Sequence, residues 1–308
     1  MALKGKDIIT LKDITKEDIN FILENAEIFE EKLKKEPLKV LEGKILATIF
    51  LEPSTRTRLS FESAMHKLGG RVLTVSKDEM TSLAKGENLS DMVRVIEGYC
   101  DVITIRTPIE GAPKMIADRV SVPVINGGDG AHAHPTQPFL DLYTMKKEFG
   151  KLEGLKVAII GDLKYGRTVH SLVYALAMVG VEMVFVSPEE LRMPSSITKV
   201  LKNEFGIEVE EKSELEEVIP EVDVLYMTRI QRERFPHESE YEKVRNIYRL
   251  DSKILKNAKE GMKILHPLPR IDEIAPELDA TKYACYFSQA HNGVPVRMAI
   301  LAGVLGKI

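Results

Sequence analysis

Short runs rich in β-branched residues alternate along this chain with stretches of helical period, and this alternation constrains the fold more than any other feature. Strands separated by helices pair in parallel, because the helix returns the chain to the end where the first strand began. The runs that fit a strand, four in each half, are 44–51, 71–75, 102–105, 122–125, 156–160, 182–186, 222–226 and 262–265. The sequence therefore predicts an α/β protein with two parallel sheets, and so two domains.

Three further stretches are predicted to be helices. Residues 16–35 place apolar side chains on one face, and Thr15 precedes them as a residue that can cap the first turn. A second helix is predicted near 136–149. The stretch 296–305 is helical in pattern but too hydrophobic to stand alone, so it should pack on a core, and its periodicity does not decide which one.

The charge balance and apolar runs exclude two classes of partner. The 308 residues include 43 Lys and Arg against 47 Asp and Glu, a net charge of −4, so bulk charge does not draw the chain to nucleic acid. No secretory apolar segment follows Met1, and the longest apolar run, Leu172–Val181, is shorter than a membrane span. Cys100 and Cys285 are predicted to be buried thiols. We expect a cytoplasmic protein with no nucleic acid or membrane partner.

The segment Glu52–Glu62, between the strand 44–51 and a predicted helix, is rich in hydroxyl and guanidinium groups. A helix N-terminus attracts anions, because its first backbone N–H groups are free and its dipole is positive there. Ser54, Thr55 and Thr57 add hydroxyl donors and Arg56 adds a charged fork, so the segment favours phosphate. An ordinary Ser/Thr cap with solvated arginines is the alternative, and the segment is not a Walker loop.

Polar residues also follow two later strands of the first half. Arg106 comes directly after 102–105, and the glycine-rich stretch Gly127–Pro138 predicts a flexible turn just before the next helix. His132 and His134 lie in that turn without an obvious third ligand, so a hydrogen-bonding role for His134 is favoured over a metal.

The second half has its own turns at strand ends. Gly161–Arg167 lacks the middle glycine of a dinucleotide fingerprint, and Arg167 stands where a pyrophosphate would need close backbone approach, which argues against NAD. Arg167 and Arg229 favour a carboxylate site, and surface salt bridges are the alternative. The stretch His266–Arg270 predicts a stiff turn whose carbonyls can accept from an amide, or a turn that is only structural.

Six segments in one order resemble the aspartate/ornithine transcarbamylase family, most closely its aspartate carbamoyltransferase branch: Ser54–Arg58, His134–Gln137, Gly161–Arg167, Met227–Gln231, His266–Pro269 and Gln289–Gly293. The aspartate branch is indicated by Arg229 with Gln231 and by Pro267, where ornithine enzymes typically carry a Cys. The resemblance implies two doubly wound parallel-sheet domains with the active site in the cleft between them. The implied carbamoyl phosphate domain is 1–135 plus 292–308, and the implied aspartate domain is 136–291.

The resemblance implies carbamoyl transfer from carbamoyl phosphate to the amine of L-aspartate in pyrimidine biosynthesis, with no cofactor and no catalytic metal. The residues that it implies for carbamoyl phosphate are Ser54, Thr55, Arg56, Thr57, Ser82, Lys85, Arg106, His134, Gln137 and Leu268, with the carbonyl near Pro267. Those that it implies for aspartate are Lys85, Arg167, Arg229, Gln231, Leu268 and Pro269. The groups implied to be catalytic are Arg56, Thr57, Lys85, Arg106 and His134.

By the same resemblance, the polar loop 77–87 sends Ser82 and Lys85 into the site of a neighbouring chain, which implies a homotrimer with shared active sites. The charged stretch 232–245 is predicted to be a lid over aspartate or else a solvated loop. A separate regulatory chain remains open. Two alternatives to the function also remain: a carbamoyltransferase for another amine such as ornithine, and a catalytically silent homologue that serves as an assembly scaffold.

Overall fold

The computed structural model describes residues 3–76, 82–232, 235, 237–245 and 247–308, and these residues divide into two compact units. The first unit is Met1–Tyr143 with His291–Ile308. Its described residues form a four-stranded parallel sheet of order β2-β1-β3-β4. The strands are β1 (Ile45–Phe50), β2 (Arg71–Ser76), β3 (Val102–Thr107) and β4 (Val124–Asp129), and the helices wholly within the unit are α1 (Lys16–Leu33), α2 (Thr55–Lys67), α3 (Leu89–Glu97) and α4 (Ala112–Ala117).

The second unit is Thr144–Ala290. Its described residues form a five-stranded parallel sheet of order β7-β6-β5-β8-β9. The strands are β5 (Lys156–Ile160), β6 (Glu182–Val186), β7 (Glu210–Lys212), β8 (Val224–Met227) and β9 (Lys263–Leu265), and the helices are α6 (Arg167–Met178), α7 (Ser195–Phe205) and α8 (Glu238–Val244). The predicted α/β class with two parallel sheets is confirmed.

The central strands of both sheets were predicted correctly because they are buried on both faces. In β1 every residue after Ile45 is buried, and in β5 every residue after Lys156 is buried. Strands covered by helices on two sides are continuous apolar runs, which sequence patterns reveal. Helix α1 begins as predicted, since Thr15 and Asp18 form a reciprocal capping box.

Strand β7 was missed because nothing in its sequence has the strand pattern. It comprises only Glu210, Glu211 and Lys212, and it lies at the edge of the second sheet, paired with β6. Short, charged edge strands are common in natural sheets, since they discourage pairing with another chain.

The turn predicted within 127–138 begins later than Gly127, because β4 continues through Asp129 and is buried throughout. A Cβ atom at position 127 would lie 3.2 Å from the carbonyl oxygen of Ile105 and 3.4 Å from Cζ of Phe50. The glycine therefore allows close packing between neighbouring strands, and the turn begins only after Asp129.

Two helices contain the divisions between the units. Helix α5 (Thr136–Phe149) contains Tyr143 and Thr144, and helix α9 (Tyr286–Val304) contains Ala290 and His291. The apolar stretch 296–305 therefore belongs to the first unit, where the backbone N–H of Gly5 donates to the carbonyl of Val304 at 2.9 Å. The helix begins ten residues before the predicted 296, at Tyr286.

None of the helices in the described part of the chain has the length and hydropathy that a membrane span requires.

Candidate active site

Each sheet has a point where the strand order reverses, and the polar segments predicted from sequence follow the strands at these points. In the first unit the reversal lies between β1 and β3; Ser54–Thr57 follow β1, and Arg106 is the penultimate residue of β3. In the second unit it lies between β5 and β8, which are followed by Gly161–Arg167 and by Arg229. Open α/β sheets bind ligands outside the carboxyl ends of strands at such points.

The start of α2 has free donors and no acidic residue in its first turn. Ser54 is the N-cap residue in extended conformation, but its side chain makes no capping hydrogen bond, so the ordinary-cap interpretation is wrong for this residue. The guanidinium of Arg56 forms no ion pair with a carboxylate in the described part of the chain, and desolvation lowers its pKa. These features leave the helix end ready for an anion.

Two contacts hold side chains beside this helix end. Oγ1 of Thr57 lies 3.4 Å from Nε2 of His134, and both side chains are buried. Arg106 donates from Nε to Oε2 of Glu52 at 3.3 Å and from a terminal nitrogen to the carbonyl of Gly127 at 3.4 Å. The first unit thus brings Thr57 together with His134 and fixes Arg106 through Glu52, a residue to which the sequence assigned no role.

The two histidines of the predicted turn have different partners. Nδ1 of His132 lies 2.9 Å from Oδ2 of Asp129, whereas His134 contacts Thr57. Among the described residues, no group of three or more His, Cys, Asp or Glu side chains is placed to hold a metal ion. Cys285 is buried as predicted, whereas Cys100 is only partly buried, and desolvation raises its pKa to about 11.

Gln137 is held by residues that the sequence analysis missed. Its Nε2 donates to Oδ1 of the buried Asp141 at 2.8 Å. The guanidinium of Arg297, from α9, donates to Oγ1 of the buried Thr136 at 3.4 Å. The spacing of Gln137 and Asp141, one helical turn, was a signal for the first contact. Nothing in the local sequence indicated Arg297, which lies far along the chain.

In the second unit the loops after β5 and β8 are tied together. The hydroxyl of Thr228 accepts from the backbone N–H of Asp162 at 3.2 Å and donates to the carbonyl of Ile160 at 2.8 Å. A Cβ atom on Gly161, where φ is 113°, would lie 2.6 Å from the carbonyl oxygen of Thr228, so a larger residue does not fit.

The two arginines at these loops are not solvated surface residues. Arg167 begins α6 and is only 8% exposed, so the surface salt-bridge interpretation is wrong for it. Arg229 is half-buried and lines a cavity of about 530 Å³ in this unit, together with Tyr241, Arg245, Asp272 and Glu273 among others. Gln231 follows Arg229 and is half-buried.

The turn after β9 is stiff, as predicted. Nδ1 of His266 accepts from the backbone N–H of Leu268 at 2.8 Å, and its Nε2 lies 2.7 Å from Oε1 of Glu273. The backbone N–H of His266 donates to Oε1 of Gln289 at 2.8 Å. Leu268 has a φ of 55°, and the bond to Pro269 is cis. No local sequence pattern indicated the contact between His266 and Glu273.

The two remaining predicted segments are only partly described. Ser82–Lys85 is a 3₁₀ turn in which both Ser82 and Lys85 are exposed, and the hydroxyl of Ser82 donates to Glu87. Residues 77–81 of this predicted loop and residues 233, 234 and 236 of the predicted lid lie outside the described residues. Within the lid, Phe235 packs edge-on against Tyr165 and Tyr241, with ring centroids 5.5 and 5.7 Å apart.

Comparison with known protein families gives two adjacent matches that together cover most of the chain. Residues 6–147 match the carbamoyl-P binding domain of aspartate/ornithine carbamoyltransferase, and residues 153–304 match its Asp/Orn binding domain. An aspartate carbamoyltransferase catalytic subunit from Thermococcus onnurineus is 57% identical over 309 residues, which cover 100% of this chain and 99% of the relative.

Solved structures agree over the whole fold. The catalytic subunit of M. jannaschii aspartate transcarbamoylase matches with a TM-score of 0.90 and 53% identity, covering 97% of this chain and 98% of that one. An aspartate transcarbamoylase from Trypanosoma cruzi, solved in complex with carbamoyl phosphate and aspartate, matches with a TM-score of 0.94 and 37% identity, covering 99% and 98%. The same protein has been solved with N-(phosphonacetyl)-L-aspartic acid.

Proposed function

Because the chain belongs to the aspartate/ornithine carbamoyltransferase family, we propose that it transfers the carbamoyl group of carbamoyl phosphate to the amino group of L-aspartate. The products are N-carbamoyl-L-aspartate and phosphate, and the reaction serves pyrimidine biosynthesis. The observation that carries the proposal is the full-length similarity to enzymes named for aspartate, one of them solved with both substrates. The arginines at the strand ends of each unit supply the charges that two acidic substrates need.

The groups at the carboxyl ends of β1, β3 and β4 bind carbamoyl phosphate in this proposal. Residues 54–57 bind the phosphate, since the start of α2 combines free backbone donors, hydroxyls and the guanidinium of Arg56, which forms no ion pair with any carboxylate that the structure describes. Thr57, Arg106 and His134 donate to the carbonyl oxygen. Gln137, with the carbonyls of Pro267 and Leu268, accepts from the carbamoyl nitrogen, and the stiff turn after β9 supports that role.

Arg167, Arg229 and Gln231 bind the two carboxylates of aspartate. The tied loops after β5 and β8 support this assignment, because they fix the backbone from which both arginines extend. Leu268, Pro269 and Lys85 complete the aspartate site. A cationic amine such as ornithine would instead need a carboxylate or a neutral pocket in the place of Arg229.

In the reaction the neutral amine of aspartate attacks the carbonyl carbon, and negative charge grows on the carbonyl oxygen. Donors already aimed at that oxygen lower the barrier, and loss of one such donor typically costs about 2.7–4 kcal/mol. The carbon–oxygen bond to phosphate then breaks, and the departing phosphate takes the proton that the amine loses. Alignment of the two bound substrates supplies much of the remaining acceleration.

The assembly we propose is a homotrimer in which Ser82 and Lys85 act in the active site of a neighbouring chain. Both residues are exposed on the first unit. Large apolar side chains on α2, β2 and α3, and in the turn directly after α3, are also exposed: Leu59, Leu73, Val95 and Tyr99. Exposed apolar area of this kind is typical of an interface between chains. A separate regulatory chain and a cytoplasmic location belong to the same proposal, and the name "catalytic subunit" of the relatives supports the former.

An assay with carbamoyl phosphate and either aspartate or ornithine tests the function. We expect N-carbamoyl-L-aspartate to form and ornithine to be a poor acceptor. Preference for ornithine would overturn the substrate assignment. Absence of turnover with both amines, in chains that still bind phosphate, would favour the silent scaffold.

A further inference from the structure

Two sets of contacts beside Gln137 involve three helices of the first unit. Gln137 and Asp141 lie on α5, Arg297 lies on α9, and Phe61 lies on α2. Nε2 of Gln137 donates to Asp141 at 2.8 Å, and the guanidinium carbon of Arg297 lies 5.0 Å from the centroid of the Phe61 ring. Arg297 is thus packed against the helix whose first turn holds the proposed phosphate site.

The two ionisable residues in these contacts, Asp141 and Arg297, are unusually deeply buried for their type. Asp141 is fully buried and Arg297 is 2% exposed. Burial lowers the pKa of Arg297 to about 10, against the attraction of the Asp141 carboxylate, which raises it. A buried charge without compensation is costly, so the hydrogen bond from Gln137 to Asp141 and the contacts of Arg297 with Thr136 and Phe61 are favoured in this setting.

The direction of the hydrogen bond between Gln137 and Asp141 determines which end of the amide is presented. A carboxylate can only accept, so it fixes Nε2 of Gln137 on its own side and leaves Oε1 pointing elsewhere. Oε1 is an acceptor, and the carbamoyl group of the proposed substrate offers an NH₂ donor. If Asp141 were neutral or displaced, the amide of Gln137 could rotate by half a turn. Its Nε2 donor would then face the NH₂ donor of the carbamoyl group, and no hydrogen bond could form.

We propose that Asp141 and Arg297 are positioning residues that fix Gln137 as an acceptor for the carbamoyl nitrogen, an inference that rests on the proposed function. Asp141 accepts directly from Gln137, and the contact of Arg297 with Thr136 at 3.4 Å fixes the start of the helix that carries both residues. Gly293 makes room for this arrangement, because a Cβ atom there would lie 2.3 Å from a terminal nitrogen of Arg297.

The test compares carbamoyl phosphate with acetyl phosphate, which has a methyl group in place of the NH₂. The binding of both to the purified full chain is measured for the wild type and for Arg297→Met, Asp141→Asn and Gly293→Ala. In each variant we expect carbamoyl phosphate to bind about tenfold more weakly, which corresponds to the loss of one hydrogen bond. Acetyl phosphate should bind nearly as it does to the wild type. Arg119→Met is the matched control, because Arg119 is exposed and donates to the carbonyl of Met115.

Equal weakening of both acyl phosphates in folded variants would show that Asp141 and Arg297 are only structural and would overturn the inference. If Arg297→Met does not fold, the same ratio of carbamoyl phosphate to acetyl phosphate affinity is measured in Arg297→Lys and Gly293→Ala. Both variants keep the positive charge, so their ratios test the positioning role instead. Gln137→Ala separates this inference from the proposed function. If Gln137→Ala keeps the wild-type ratio of carbamoyl phosphate to acetyl phosphate affinity, the role of Gln137 itself is refuted. If this ratio falls in Gln137→Ala but not in the other variants, only the positioning role of Asp141 and Arg297 is refuted.

Discussion

Replacing Arg56 by alanine should separate substrate binding from folding. Arg56 lies in the first turn of α2, where there is no acidic residue, and it forms no ion pair with a described carboxylate. Removing it therefore leaves no buried acid without a partner, and the free energy of unfolding should change by no more than about 0.5 kcal/mol. Its interaction with the phosphate, by contrast, is lost entirely.

The size of the loss follows from the kind of contact. A hydrogen bond to a charged group contributes about 1.5–3 kcal/mol, which corresponds to roughly 10- to 150-fold weaker binding of carbamoyl phosphate. Titration calorimetry of the free enzyme measures this directly, and urea unfolding without ligand measures stability. Turnover should be nearly abolished, because the same contact persists as the phosphate departs.

Lys67→Ala is the matched control for this experiment. Lys67 is exposed in the last turn of the same helix, roughly 16 Å from Arg56 by helical rise, so the charge change is equal but remote. Unchanged carbamoyl phosphate binding in Arg56→Ala, or equal weakening in both variants, would refute the assignment of the phosphate to the start of α2. A loss of stability well above 1 kcal/mol in Arg56→Ala would show that the residue is structural.

Four other predictions concern aspartate binding, the sharing of sites between chains, and the stability of the fold. Arg229→Ala should raise the KM for aspartate and leave carbamoyl phosphate binding unchanged, and steady-state kinetics with each substrate varied would contradict this if both constants rose together. Mixing inactive Lys85→Ala and His134→Ala chains should restore some activity if sites are shared between chains, and verified mixed trimers without activity would remove that claim. Burial alone would raise the pKa of Glu273, but the hydrogen bonds from His266 and from backbone N–H groups outweigh burial and lower the pKa. The ionised Glu273 therefore stabilises the folded chain fully above the ordinary Glu pKa of about 4.3. This stabilisation is lost as the pH falls through the lower pKa of the folded state. Glu273→Gln should therefore weaken the acid dependence of urea unfolding, and an unchanged dependence would count against it. Thr15→Ala, which removes half of the capping box of α1, should cost about 1 kcal/mol in unfolding free energy with no change in KM.

The sequence predicted best what local physical chemistry decides. The central strands β1 and β5 are continuous apolar runs, and the start of α1 is set by Thr15 and Asp18 within four residues. Strand β7 and the extension of β4 through Gly127 depend on neighbouring strands, which a local pattern does not contain.

The candidate site divides in the same way. Residues such as Arg56, Arg106 and Arg229 were found because they lie at or just beyond the carboxyl ends of strands, where parallel sheets present ligands. The sequence did not reveal the supporting residues Glu52, Asp141 and Arg297, because their importance comes from contacts that form only on folding. Arg297, for example, contacts a helix about 160 residues earlier in the chain.

The most direct test of the account is a crystal structure of the chain with N-(phosphonacetyl)-L-aspartate, a single molecule that carries both a phosphonate and the aspartate carboxylates. We expect the phosphonate at the start of α2, in contact with Ser54 and Arg56, and the carboxylates on Arg167 and Arg229. A ligand held by only one of the two units, or a phosphonate bound away from α2, would contradict it.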